Sequence, residues 1–374
     1  MPHGRAEGGV PALWRRAVSR RRGPALLLLP LLWLLSIPWL IVVCLSHWLY
    51  RSGLRRAHGG ALPVVSVGNV SVGGTGKTTT CLYLARELSA RGVTAGIVLR
   101  GYKRRGGGAL LVSDGEALLC GPEQAGDEAW LLAGQLPGCP VAVCRRREMA
   151  LELLAAQTNA RVAILDDGYQ YYRLARQIDL VLLDAFTPEA ADHVFPAGFL
   201  REPYGHLSRA TDIWITHADI ADPARVARLH AVAARYAAHA RLAETAHLAA
   251  GLTTWAGQTV GANVLAGRPV VAFAGIGNPE SFFDMVEALT ARNVTRIEFP
   301  DHHPYSPRDW ETISGAARRT GAAVLTTPKD AVRTPPPPGD IDVYVLAPTL
   351  SVVSGLGAVE ALLQRVCEIS GEGG

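Results

Sequence analysis

The hydrophobic positions divide the chain into one long apolar segment and a series of short apolar runs. Residues 25–45 carry no charged side chain, and about 20 such residues are enough for a helix to cross a bilayer. Beyond them, short apolar runs alternate with amphipathic stretches, as at 63–67 and 78–90. Continuous apolar strands separated by helices are typical of a parallel sheet covered on both faces. The pattern therefore predicts a membrane helix followed by a mostly parallel α/β fold.

The individual runs predict two α/β units. The first has strands at 63–67, 95–99, 141–144, 162–165, 180–183 and 213–216, with helices at 78–90 and 147–157. The Ala- and Arg-rich stretch 223–250 is predicted as a helix, and the Gly-rich stretch 251–267 as a linker. The second unit has strands at 269–275, 297–299, 323–327 and 343–346, with helices at 280–291, 307–317 and 359–366. We therefore predict a basic arm (1–24), a membrane-associated helix (25–49), a first domain (50–250), a linker (251–267) and a smaller second domain (268–374).

The charge distribution supports the membrane assignment of the apolar segment. Residues 1–60 contain nine Arg and one Glu, which leaves the rest of the chain acidic although the whole chain carries +4. The basic charge flanks the apolar segment and forms no nucleic-acid-binding face, so no nucleic-acid partner is expected. Because both flanks are basic and Pro30 and Pro38 interrupt the segment, it either spans the bilayer or dips into an anionic leaflet. A buried core helix and a cleaved signal peptide fit less well, since the segment is apolar on all sides and no A-x-A site follows it.

The clearest chemical signal is a glycine-rich turn between an apolar strand and an amphipathic helix. Residues 64–78 read VVSVGNVSVGGTGKT, which departs from the strict G-x-x-x-x-G-K-[ST] pattern only in having Ser71 at the first glycine. Backbone amides of such a loop surround phosphate oxygens, Lys77 would reach the β- and γ-phosphates, and the Thr78 hydroxyl would bind Mg²⁺. The predicted ATP-binding residues are Ser71, Val72, Gly73, Gly74, Thr75, Gly76, Lys77, Thr78 and Thr79. The fold expected at 50–250 is accordingly that of a P-loop NTPase; the alternative is an incidental Gly-rich turn.

Two carboxylates provide a partner for this loop. The apolar run at 162–165 ends in Asp166, Asp167 and Gly168. Carboxylates at a strand end beside a P-loop are what coordination of Mg²⁺ requires. On its own such a strand end is usually only a turn, but together with the loop it predicts metal ligands at Thr78, Asp166 and Asp167.

Several further blocks follow in a fixed order and carry a family resemblance. They are Arg-Gly-Tyr at 100–102, Ala-Gly-Asp-Glu at 125–128, Asp-Asp-Gly-Tyr-Gln at 166–170, Pro-Ala-Gly-Phe-Leu-Arg-Glu at 196–202, Ala-Gly-Ile-Gly-Asn-Pro-Glu at 274–280, Phe-Pro-Asp-His-His at 299–303 and Thr-Thr-Pro-Lys-Asp at 326–330. With the loop and the hydrophobic N-terminus, this set resembles the tetraacyldisaccharide 4'-kinases, membrane-associated kinases of lipid A biosynthesis, over about residues 25–335.

The resemblance implies an activity and a location. The γ-phosphoryl group of ATP, with Mg²⁺, would pass to the 4'-hydroxyl of an anionic tetraacyldisaccharide 1-phosphate. The acyl chains would stay in the inner membrane, with the catalytic domains on its cytoplasmic side and no obligate protein partner.

The resemblance also implies roles for individual residues. Asp127 would be the general base, assisted by His302, with Lys77 as the third catalytic residue. For the first two to meet, the domains must close over the substrate with the linker as a hinge. The alternatives are an ordinary helix N-terminal acid at Asp127 and a turn residue at His302.

Six other residues carry weaker expectations. Arg100 and Arg201 are candidates for binding phosphates, Lys329 for facing the interdomain cleft, and Glu128, Glu202 and Gln170 for supporting the site. The sequence departs from the family pattern at Tyr171, Lys103 and Pro328, where the family usually has His, Gly and an acid.

Two other classes of protein remain open at this point. A membrane-tethered P-loop switch or ATPase would share the loop and the two aspartates, but would hydrolyse ATP without a lipid. A non-catalytic nucleotide-binding membrane protein would not need Lys77 and Thr78.

Overall fold

The structure is a computed structural model that describes Trp14, Val18 and residues 27–102, 104–277, 279–290, 294–301 and 303–371. The predicted basic arm over 1–24 therefore lies outside the described residues except at Trp14 and Val18, and so does His302. Helix α1 (Leu29–Arg51) is long and apolar enough to cross a membrane, with a mean hydropathy of 2.2 over its most apolar 18 residues. Only 6% of that stretch is buried, so the alternative of a core helix is wrong.

Thirteen strands of the described chain form one mostly parallel sheet. They are β1 (Val64–Asn69), β2 (Ala95–Leu99), β3 (Leu110–Ser113), β4 (Val141–Val143), β5 (Val162–Asp166), β6 (Ile178–Asp184), β7 (Asp212–Thr216), β8 (Arg241–Thr254), β9 (Thr259–Val260), β10 (Val270–Ala274), β11 (Val294–Glu298), β12 (Ala323–Thr326) and β13 (Val343–Ser354). Their spatial order is β11-β10-β12-β13-β8-β7-β6-β1-β5-β2-β4-β3, with β9 on β8. The pairs β3–β4, β8–β9 and β8–β13 are antiparallel.

Helices cover both faces of this sheet and explain its continuous apolar strands. They are α2 (Lys77–Ala90), α3 (Pro122–Ala125), α4 (Asp127–Gln135), α5 (Arg147–Gln157), α6 (Pro223–Tyr236), α7 (Pro279–Thr290), α8 (Pro307–Thr320), α9 (Pro328–Arg333) and α10 (Leu356–Gly371). Along β1, Val65 packs in the core beneath α2 while Val64 packs in the core beneath α5. A strand buried on both faces has no polar side to alternate with, and the predicted fold class is confirmed.

The predicted helix over 223–250 is wrong beyond Tyr236. Helix α6 ends there, and the chain continues from Arg241 as the 14-residue strand β8. Alanine-rich composition favours a helix, but this segment pairs in parallel with β7 and antiparallel with β13. Hydrogen bonding to two neighbouring strands outweighs a helix propensity of tenths of a kcal/mol per residue.

The predicted linker over 251–267 also contains regular structure. It holds the end of β8, the short strand β9 and a 3₁₀ turn at Ala262–Leu265. Strands β8 and β13 join the two halves of the sheet, and β13 is longer than predicted because it follows β8 to Ser354. The division into two domains and the hinge between them stay predictions.

The C-terminal helix α10 returns to the first half of the sheet. Its residues Leu362 and Val366 share a core with Leu84 and Leu88 of α2. Arg365 of α10 also binds the buried carboxylate of Asp212, with an Nη2–Oδ1 distance of 2.7 Å. The predicted second domain (268–374) included this helix, which instead packs with the core of the first.

Candidate active site

The glycine-rich loop joins the end of β1 to the start of α2. Gly73 and Gly76 adopt φ angles of 124° and 83°, a region that L side chains rarely enter. The Asn69 side chain donates a hydrogen bond from Nδ2 to the Thr75 hydroxyl at 2.9 Å and so braces the loop from within. The amides at the start of α2 have no partner within the helix, which makes this helix end suited to an anion.

A cavity of about 800 Å³ lies in front of this loop. It is lined by residues 73–79 of the predicted ATP-binding set, whereas Ser71 and Val72 are not among the described lining residues. Ser71 and Val72 instead pack against the segment at 199–200, where Ser71 pairs with Leu200 and the Val72 amide donates to the Phe199 carbonyl at 2.7 Å. Most other predicted site residues also line the cavity, namely Arg100, Asp127, Glu128, Asp166, Asp167, Arg201 and Lys329.

The two aspartates after β5 approach the loop from different directions. Asp166 accepts a hydrogen bond from the Thr78 hydroxyl at 3.4 Å. Asp167, with a φ of 55°, lies 3.6 Å from the Lys77 ammonium and accepts from Arg201 Nη1 at 2.9 Å. The left-handed turn at Asp167 thus sends the two neighbouring carboxylates to different partners.

Burial and nearby charges shift the pKa values of the two aspartates in opposite directions. Burial, together with the nearby Glu128 carboxylate, raises the pKa of Asp166 to about 6. Burial also disfavours charge on Asp167, but Lys77 and Arg201 outweigh it and hold the pKa of Asp167 below its usual range. Burial lowers the pKa of Lys77, and Asp167 acts against that shift. The site therefore holds one carboxylate, Asp166, that lacks sufficient positive charge around it.

The donor set around Asp166 is suited to Mg²⁺. A hydroxyl and carboxylates are the oxygen ligands this ion prefers, and it usually takes only one or two carboxylates besides substrate phosphates and water. Among the described residues no cluster of three or more His, Cys, Asp and Glu side chains is arranged to hold a metal alone. Thr78 and Asp166 thus fit an ion that also binds a nucleotide.

A second acidic pair faces the cavity from the start of α4. Asp127 accepts a hydrogen bond from Arg333 Nε at 3.0 Å, and Glu128 pairs with Lys329. Both cations come from α9, four residues apart and hence on one face of that helix. Sequence reasoning named Lys329 but missed Arg333, although the i,i+4 spacing from Lys329 was a usable signal. It also missed Asp301, which lines the cavity next to His302 in the sequence.

Glu202 and Gln170 lie behind the cavity. Glu202 is 1% exposed and binds Tyr172, His206 and Arg209 at 2.7–3.0 Å. Gln170 donates from Nε2 to the Asn69 carbonyl at 2.8 Å and to Glu202 at 2.9 Å. Both residues therefore lie behind the loop, where Glu202 pairs with Arg209.

Helix α1 contacts this supporting layer. The Trp39 indole donates to the Arg201 carbonyl at 3.0 Å. Nearer its C-terminal end, His47 stacks on His206 with ring centroids 4.1 Å apart, and Tyr50 stacks on Tyr172 at 5.5 Å. The apolar helix is therefore attached to the back of the phosphate-binding site.

The glycine loop, the lysine and the strand-end aspartates on a mostly parallel sheet define an α/β P-loop protein with a nucleotide site. The family model of tetraacyldisaccharide-1-P 4'-kinase (LpxK) matches residues 28–368. The tetraacyldisaccharide 4'-kinase of Anaeromyxobacter dehalogenans strain 2CP-C is 39% identical over 331 residues, covering 88% of this chain and 86% of that protein. That of Desulfotalea psychrophila is 34% identical, covering 91% and 97%. The crystal structure of LpxK from Aquifex aeolicus in complex with ATP superimposes with a TM-score of 0.70 at 28% identity, covering 91% of this chain and 98% of that one.

The chain belongs to the tetraacyldisaccharide 4'-kinase family, the kinases of lipid A biosynthesis. The predicted family resemblance and enzyme class are confirmed.

Proposed function

We propose that the chain transfers the γ-phosphoryl group of ATP to the 4'-hydroxyl of a tetraacyldisaccharide 1-phosphate at the cytoplasmic face of the inner membrane. One observation carries this proposal: Lys77, Asp166 and Asp127 line the same cavity of about 800 Å³. Phosphoryl transfer depends mainly on positioning and on neutralising charge. This cavity combines a phosphate-binding loop with a separate carboxylate, that of Asp127.

The loop and its lysine would bind the triphosphate. The amides of 73–79 and the start of α2 would hold phosphate oxygens, and Lys77 would neutralise charge on the γ-phosphoryl group. The Lys77 ammonium lies 3.6 Å from the Asp167 carboxylate, which holds it beside the loop. Mg²⁺, held by Thr78 and Asp166, would supply further positive charge on the β- and γ-phosphates. Asp167 is bound by Lys77 and Arg201 and would support the metal site indirectly.

Asp127 would act as the general base. It would take the proton of the sugar hydroxyl as that oxygen bonds to the γ-phosphorus, while the bond from the γ-phosphorus to the bridging oxygen breaks and ADP leaves. His302 keeps its predicted role of assisting Asp127. Arg100, Arg201 and Lys329 line the cavity and would bind phosphate groups of the nucleotide or the lipid.

Helix α1 would keep the enzyme at its acceptor. Its large apolar side chains are extensively exposed, as at Leu34 with 63% and Ile41 with 60%. Such a surface is unfavourable in water and favourable in a lipid phase. The acyl chains of the acceptor would remain in the bilayer while the sugar enters the cavity.

The decisive experiment incubates the full chain with Mg-ATP and the disaccharide 1-phosphate lipid in mixed micelles, with mass spectrometry of the product. We expect a bis-phosphorylated lipid. Lys77→Ala and Asp127→Asn should each lower the rate by at least about 10²-fold, with both variants still folded and unfolding cooperatively. Asp340→Asn, which removes an exposed partner of Arg318 on α8, should match the wild type.

Two outcomes would contradict the proposal. Hydrolysis of ATP without phosphorylation of the lipid would favour the tethered ATPase. Near-normal turnover of Asp127→Asn would remove Asp127 as the base.

A further inference from the structure

Arg333 occupies a buried position at the edge of the cavity and bridges two distant parts of the chain. Its side chain is 8% exposed. Nε donates to Asp127 Oδ2 at 3.0 Å, and Nη1 donates to the Gly275 carbonyl at 3.4 Å. A buried guanidinium bound to a carboxylate has a strongly defined geometry, unlike the exposed ion pairs on this protein's surface.

The short helix that carries Arg333 is fixed firmly to the end of β10. Its residue Asp330 is fully buried and accepts hydrogen bonds from the Gly275 amide at 3.1 Å, the Tyr305 hydroxyl at 3.0 Å and the Thr327 hydroxyl at 2.7 Å. A Cβ on Gly275 would lie only 3.0 Å from the Tyr305 hydroxyl, so the elements are in close contact. The base of the Arg333 side chain is therefore held rigidly.

Asp127 has less support on its own side. It is the first residue of α4, it follows Gly126 with a φ of 83°, and its side chain is 40% exposed. A carboxylate at a helix start, half exposed to the cavity, has several rotamers open to it. Arg333 binds Oδ2 and so selects one of them. The neighbouring Lys329–Glu128 pair is 36% and 41% exposed and is more weakly defined.

We infer that Arg333 is a positioning residue: it holds the Asp127 carboxylate in the orientation that accepts the proton of the acceptor hydroxyl. Helix α9, which belongs to the second half of the sheet, thereby completes the catalytic site built on the first half. This inference rests on the proposed role of Asp127 as the base.

The test compares Arg333→Gln, Arg333→Lys and Asp127→Asn in the lipid kinase assay, with Arg318→Gln as the matched control. Arg318 lies on α8 and forms an exposed ion pair with Asp340, so its variant loses the same kind of pair away from the cavity. We expect kcat of Arg333→Gln to fall about 10–100-fold, since a displacement of about 1 Å at a reacting group costs about 10²-fold. KM for ATP and for the lipid should stay within about twofold, and Arg333→Lys should lose only several-fold.

The double variant Asp127→Asn/Arg333→Gln should be no slower than Asp127→Asn alone, because a positioning residue has nothing left to position. Multiplying effects would overturn the inference, as would a raised KM for the lipid with normal kcat, which is the signature of a substrate-binding arginine. Normal kcat in Arg333→Gln beside an inactive Asp127→Asn would overturn the inference and leave the proposed function intact. An active Asp127→Asn would overturn both the inference and the role of Asp127 as the base. If Arg333→Gln does not fold, wild-type kcat in Arg333→Lys overturns the inference.

Discussion

Replacing Gly68 by alanine tests how closely the phosphate loop and the acidic turn must approach each other. Gly68 lies in β1, just before the loop, and faces the turn that follows β5. A Cβ at this position would lie 2.5 Å from Cβ, 2.8 Å from N and 3.2 Å from Cα of Tyr169. Tyr169 is fully buried, and its hydroxyl donates to the His206 carbonyl at 2.6 Å. The obstacle is therefore backbone, which no change of rotamer removes.

The size of the effect follows from these distances. Ordinary van der Waals contact of a Cβ begins near 3.4 Å, so the turn must retreat by about 0.6–0.9 Å, the difference between that value and 2.8 or 2.5 Å. Asp167 is two residues before Tyr169 and would move with it, away from Lys77. A misplacement of about 1 Å at a reacting centre lowers turnover about 10²-fold, and overpacking of a buried site costs about 1–3 kcal/mol.

The assay measures initial rates of lipid phosphorylation and the free energy of unfolding in urea. Gly357→Ala is the control, because it adds the same methyl group in α10, where the new Cβ would meet no described atom within 4 Å beyond its chain neighbours and its own helix backbone. We expect the control within about twofold of the wild type, and Gly68→Ala slower by about 10²-fold. If Gly68→Ala works at nearly the wild-type rate with unchanged stability, the close approach of β1 to the acidic turn does not control the site.

Three further predictions concern charge and the membrane helix. The pKa of Asp166 rises from 3.8 to about 6 on folding, so its carboxylate destabilises the fold increasingly between these pH values. In ligand-free protein at pH 7.5, Asp166→Asn should therefore stabilise by up to about 3 kcal/mol in urea unfolding, with no gain below pH 4; a gain that persists at pH 3.5 would refute this. Arg365→Met leaves the buried carboxylate of Asp212 without its ion-pair partner and should cost about 3–5 kcal/mol in the same measurement, whereas a loss below 1 kcal/mol would show that α10 docks without the ion pair. Removing residues 1–50 should sharply reduce co-sedimentation with anionic lipid vesicles, and unchanged partitioning would contradict the anchor.

The local chemistry of the phosphate site was readable from the sequence because its parts are contiguous. A loop of backbone amides needs a strand, glycines and a helix start in direct succession, so residues 64–78 contain the complete phosphate-binding motif. The strand end at Asp166 is equally local. Helix α1 was predictable for a related reason, since its run of about 20 apolar residues is contiguous in the sequence.

The elements that were missed depend on partners distant in the sequence. Strand β8 has an Ala-rich sequence suited to a helix, and only β7 and β13 on either side make it a strand. The return of α10 to the first half of the sheet depends on apolar contacts with α2 and on Asp212. These distant partners produce no periodic pattern within the sequences of β8 or α10, because the contacts that determine both elements are tertiary.

The amino-acid order by itself determined a helix long and apolar enough to cross a membrane, the mostly parallel α/β class, the Gly-rich loop and the aspartates beside it. The tertiary structure alone decided that both halves share one sheet, that Asp167 forms ion pairs with Lys77 and Arg201, and that Arg333 reaches Asp127 across 206 positions. The physical reason is the range of the interactions. Loop conformation and bilayer partitioning depend on neighbouring residues. Burial, ion pairing and strand pairing depend on groups that only folding brings within a few ångströms.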